Sequence, residues 1–248
     1  MRTVLAQGCW PDRLLNCVSP LIRLAPLLAV LFCAACAIPY VPYRTIYEDP
    51  VNYVRLEEDD AVLPEWPPGH HAHPKPFTVE QVTRLLQGMM VKEHRIWLQK
   101  WFQGEAPLVP VFKEEEVALL APQVTEAFAA AEYNERVTFY LSQPQTSVKR
   151  VITSGGMYVH DDHLHVIVGN WQIVYGIPTY GMIYDRRYPM RPTAAKGFDL
   201  YFEPSEAVVR QRSSVWDTIF ANTKDELVIN MTRWQASTTA RSVQQRAP

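Results

Sequence analysis

The hydrophobic period changes once along this chain, and that change limits the fold more than any other feature. From Phe77 to Ala131 apolar residues recur at helical spacing: Val79, Val82, Leu85, Leu86 and Met89, then Val117, Leu120, Val124, Phe128 and Ala131. From Arg136 onward they alternate, beginning with Val137, Phe139 and Leu141. A helix buries a stripe of period 3.6 and a half-buried strand one of period two, so helices precede strands. The order predicts an α+β fold, with two or three N-terminal helices packed on one face of an antiparallel sheet of about five to seven strands. Thr78 and Gln81 form a capping box, and Glu114, Glu115 and Glu116 place acids at the positive end of a second helix. Pro122 is expected to kink or restart that helix. Between Met89 and Gln103 (89–103) the pattern does not separate helix from strand. Expected strands are 136–141, 150–152, a hairpin over 157–168 turning at Asp161-Asp162, 198–202, 207–212 and 227–232.

Before Phe77 the chain reads differently. Eight prolines fall between residues 37 and 76, which predicts a tether over 36–76 rather than regular structure. Tyr40, Tyr43, Ile46, Tyr47, Tyr53 and Trp66 are too apolar for a bare linker, so this arm is expected to dock on its own domain or on a partner. The globular domain is expected over 77–234, followed by a frayed polar tail over 235–248.

The first residues form a targeting segment. Arg2, Arg13 and Arg23 precede the apolar run Leu24–Phe32, which is too short to span a bilayer and ends in Cys33-Ala34-Ala35-Cys36. This end resembles the lipobox of bacterial lipoproteins, and the resemblance covers residues 1–36 only. It implies a signal peptide over 1–35, cleavage before Cys36, acylation of that cysteine and a membrane anchor facing the cell envelope. Ala37 follows the cysteine, and in the enterobacterial sorting rule a residue other than Asp there implies the outer membrane. An uncleaved N-terminal anchor is the alternative. All four cysteines lie at or before residue 36, so the mature chain keeps one and forms no internal disulfide. Removing Arg2, Arg13, Arg23 and Asp12 leaves 21 basic and 25 acidic side chains. That mild acidity excludes nucleic acid as a partner and argues against electrostatic binding to anionic lipid.

Three clusters offer chemistry. With the turn at Asp161-Asp162, His160 faces His163, and His165 and Tyr158 project on the same face. Three imidazoles on one pleated face approach a zinc site. The plainer reading is a wet face opposite the core. His70, His71 and His73 form a second tract in the proline-rich arm. Arg186, Arg187 and Arg191, in a stretch that carries Tyr184 and Tyr188 and is stiffened by Pro189 and Pro192, could hold an anion through their guanidinium forks. Ser154-Gly155-Gly156 lacks the pattern of a nucleophile elbow and reads as a bulge. The chain carries no phosphate-binding glycine loop and no His-Glu-x-x-His motif. The expected function is that of a non-enzymatic scaffold, binding or assembly-accessory lipoprotein, with the membrane and an envelope protein as partners and no cofactor. The alternative is a metal-binding or metal-dependent enzyme that holds zinc through His160, His163 and His165.

Overall fold

The sheet begins 34 residues before the expected domain boundary. In the computed structural model, which describes residues 40–62, 70–95, 97–147, 149–176, 186–193, 196–209 and 226–244, Tyr43–Glu48 is strand β1 and Tyr53–Glu58 is β2. Pro42 precedes β1 and Pro50 sits in the turn between the two strands, so neither interrupts a ladder. Asp49 builds that turn. Its carboxylate accepts from the backbone N–H of Val51 (2.7 Å) and Asn52 (2.6 Å) and from the Tyr47 hydroxyl (2.9 Å). Burial pushes this carboxyl up, but the donors outweigh it and hold it at about 2. Residues 43–58 are therefore part of the sheet, which corrects the expectation of a tether reaching to residue 76.

Thr78 caps helix α1 (Val79–Gly88) with the capping box read from the sequence. The helix stops at Gly88, where Phe202 and Glu203 pass close by. A Cβ there would lie 2.5 Å from the Glu203 carbonyl, and Glu203 N–H donates to Gly88 O. The segment that pattern alone left open contains both element types: strand β3 (Met89–Glu93), then helix α2 (Trp97–Gln103). Strand β4 (Leu108–Pro110) leads into helix α3 (Glu114–Ala130), which neither stops nor restarts at Pro122. Val117, Leu120, Ala121, Val124 and Phe128 bury its inner face, and that burial offsets the lost N–H bond.

Then come β5 (Glu135–Thr146), β6 (Lys149–His160), β7 (His163–Gly176), β8 (Phe198–Phe202), a 3-10 turn at Ser205–Ala207, β9 (Glu226–Asn230) and helix α4 (Met231–Gln244). The main sheet runs β1-β2-β5-β6-β7-β9, all antiparallel, and β4-β3-β8 form a second, smaller sheet. The fold is α+β, but its helices follow two strands or end the chain rather than lead it. The expected frayed tail is corrected in part as well. Met231 and Trp234 of α4 are buried, and Asp162 binds the helix start through Thr232 (2.7 Å).

One core holds these parts together. Val54, Leu56, Val137, Phe139, Met157, Val159, Leu164, Val166 and Ile229 supply the inner face of the main sheet. Leu85, Leu86, Leu120 and Phe128 supply the helices, and Met89, Val91, Phe198 and Phe202 the small sheet. The other face of the main sheet carries the polar residues considered next.

Candidate functional site

The hairpin register is the one the alternation predicts. His160 pairs with His163 and Tyr158 with His165, and Asp161 takes positive φ (51°) in the turn. The three histidines share a face but have separate partners. His165 Nδ1 lies 3.0 Å from Glu226 Oε1 on the neighbouring β9. His163 Nε2 lies 3.5 Å from the Asn230 amide. His160 lies 3.7 Å from Asp161, with its ring edge-on to His165 at 6.4 Å. Among the described residues no group of three His, Cys, Asp or Glu side chains is arranged to hold a metal.

The second histidine tract arrives at the same place. Strand β6 outruns β5 at this end, and residues 71–73 take up the backbone groups left over. Ala72 N–H donates to Val159 O (2.7 Å), Val159 N–H donates to His73 Nε2 (3.2 Å), and His71 N–H donates to Tyr133 O (2.8 Å). His71 and His73 are buried. The His71 ring lies 4.5 Å from Tyr158, and Tyr158 stacks on His165 at 4.6 Å with 11° between planes. Asp59 holds His71 Nε2 (3.1 Å) and meets Arg136 (3.3 Å), while Glu226 accepts the Tyr158 hydroxyl (2.7 Å). The result is a row of two carboxylate–imidazole pairs, Asp59–His71 and Glu226–His165, with Tyr158 touching both rings.

The electrostatics follow from this packing. Burial pushes the Asp59 carboxyl up, but His71 and Arg136 outweigh it and hold it below its ordinary value. Glu226 behaves likewise through His165 and Tyr158. Burial, then the Glu226 charge, pushes the Tyr158 phenol up. His73 is pushed down to about 4, chiefly by burial, which suits a ring that accepts through Nε2 and stacks on Phe128. The row resembles a proton relay, yet Tyr158, His165 and Glu226 are engaged with one another and His71 is buried against Asp59. Asp59 ties residues 71–73 to the sheet through His71 Nε2.

The arginines do not converge either. Arg186 lies over Tyr53 (5.4 Å) and Tyr140 (5.3 Å), 3.6 Å from Glu48, and its carbonyl accepts the Tyr53 hydroxyl. Arg187 and Arg191 instead flank Tyr188, at 5.7 and 4.8 Å. The segment 186–193 is strapped across the main sheet: Ser154 Oγ donates to Pro189 O (2.7 Å) and Asn170 Nδ2 to Arg191 O (3.0 Å). Gly156 and Gly169 make room for it. A Cβ at 156 would lie 2.5 Å from Met190 Sδ, and one at 169 would lie 2.6 Å from Met190 backbone. The register of β6 against β7 shifts on either side of Ser154, as expected of a bulge. Cys36 lies outside the described residues.

A feature that sequence reasoning missed lies on α2. Trp97, Trp101 and Phe102 are 76, 76 and 73 % exposed, and Leu98 is 42 % exposed. At 100° per residue these four positions span an arc of about 140°, and a surface helix ordinarily turns such an arc inward. Leu108 of β4 and Tyr201 of β8 are exposed too, and Tyr201 shares a cleft with Lys92 and Lys100. Six of the eleven large apolar side chains exposed among the described residues thus belong to α2 and the small sheet. The spacing Trp97-Leu98 and Trp101-Phe102 was the available signal. Comparison of the chain with protein-family models, with curated proteins and with solved structures finds no match.

Proposed function

We propose that this chain is a lipoprotein of the cell envelope, acylated at Cys36 and held at the outer membrane, whose folded domain works by contact rather than by catalysis. The observation that carries the contact reading is the gathering of exposed aromatic residues on α2 and the small sheet. Buried apolar area drives most association, and a soluble surface seldom leaves such a cluster bare without a use for it. Among the described residues no helix is long and apolar enough to cross a membrane.

Metabolic labelling with a fatty-acid analogue tests the anchor. The wild type takes up label and fractionates with membranes, and Cys36→Ser accumulates as an unlabelled precursor. Equal label on both proteins would overturn the assignment of Cys36.

A further inference from the structure

We infer that α2 is a second membrane contact, seated in the headgroup layer of the bilayer that carries the Cys36 lipid; the inference rests on the lipoprotein reading above. Four observations point there. The first is covalent: only seven residue steps separate Cys36 from Tyr43, where β1 begins, a reach of at most ~25 Å. The first strand of the sheet thus begins within that reach of the acylated residue.

The second is the kind of side chain. Tryptophan pairs an apolar body with an N–H donor and concentrates where hydrocarbon meets headgroup. Two of them stand one turn apart on α2, beside Leu98 and Phe102. The helix is about 10 Å long, and its apolar arc is of the kind that interfacial helices bury below the headgroups.

The third is rigidity. Seven residues make a weak helix in water. Here Arg95 reaches across and donates to the carbonyls of Gln103 and Gly104 (both 3.1 Å), the last carbonyls of the segment. Gly104, at φ 72°, donates its N–H to Lys100 O and ends the helix. The aromatic arc is therefore held out rather than frayed.

The fourth is charge. Around α2, Lys92, Arg95 and Lys100 are matched by Glu93, Glu105 and Asp199; Lys92 pairs with Glu105, and Asp199 meets His94 at 2.9 Å. A balanced collar fits zwitterionic headgroups and is not a polybasic site. Binding should therefore depend little on anionic lipid or salt.

The test uses residues 42–248, a compact unit that contains the whole described core, with phosphatidylcholine vesicles as the probe. We expect partition on the order of 10³–10⁴ M⁻¹, comparable to one acyl chain. The value should change less than threefold when a quarter of the lipid is phosphatidylglycerol. Trp97→Ser/Trp101→Ser/Phe102→Ser should bind at least tenfold more weakly with an unchanged melting temperature. Three results would each overturn the inference: no partition of the unsubstituted unit, equal partition of the triple variant, or dimerisation in sedimentation equilibrium that the triple variant abolishes. Fatty-acid labelling at Cys36 reads the anchor separately. Label without vesicle binding sinks the inference alone, and vesicle binding without label sinks the anchor alone.

Discussion

His73 shows how a single position ties folding to pH. Its Nε2 accepts the Val159 N–H, and burial holds its pKa near 4, while an unfolded histidine titrates near 6.5. Between those values the unfolded chain binds the proton and the folded chain does not. The stability is fully present above about pH 6.5 and is lost as pH falls toward 4, by about 2 kcal/mol at pH 5. Asp59 and Glu226, held below their ordinary values, keep their contribution until lower pH and lose it there. Urea denaturation at pH 7.5, 6 and 5 measures the effect. His73→Gln keeps an acceptor for Val159 but no titrating ring, so its midpoint should vary less across that range. An unchanged pH slope would mean that another group governs it. Neither the depressed histidine nor its partners were legible in the sequence. His73 and Val159 are 86 residues apart, so no local pattern joins them.

At the scale of elements, the strap over the main sheet divides what were three like arginines into two kinds. Arg186 faces the sheet, whereas Arg191 is exposed beside Tyr188. The strap depends on bare backbone at Gly169, so Gly169→Ala should cost about 1–3 kcal/mol by lifting Met190. Arg191→Gln should cost less than about 1 kcal/mol. Thermal melts of the two variants decide the matter, and a Gly169→Ala protein that melts like the wild type would show that the strap does not bear on the fold. Elements with a strong local signature were legible: the Thr78–Gln81 capping box, the hairpin at Asp161-Asp162 and strand 198–202. The strands β1 and β2 were not. Proline density hid them, although their prolines stand at the ends, and β2 places Arg55 and Glu57 on a face where they are buried by Tyr43, Tyr53 and Arg136. Polar residues in a strand suggest solvent unless long-range partners are known, and here Glu48 grips Arg55 at 2.9 and 3.0 Å.

For the whole molecule, the place of β2 sets the minimum that folds. It lies between β1 and β5, with Tyr53, Val54 and Leu56 almost fully buried. A protein starting at residue 77 would leave the ladder edge of β5 unpaired and uncover part of the core along Val137 and Phe139. We expect residues 42–248 to melt cooperatively and residues 77–248 to aggregate or lack near-ultraviolet circular dichroism. A cooperative transition in the shorter protein would return the domain boundary to Phe77.

The order of strands across the main sheet has a consequence for how the chain comes together. Along the row β1-β2-β5-β6-β7-β9, each strand lies beside the one that precedes it in that sheet, and none is inserted between two earlier ones. The three strands absent from the row are those of the small sheet. A chain that emerges N-terminus first, from a ribosome or from a secretion channel, therefore presents each new strand of this sheet to a partner already delivered. Ladder growth can keep pace with emergence, and the growing edge is the one that the next strand of this sheet will cover. The histidine row must wait for β9, which supplies Glu226, as the small sheet must wait for β8.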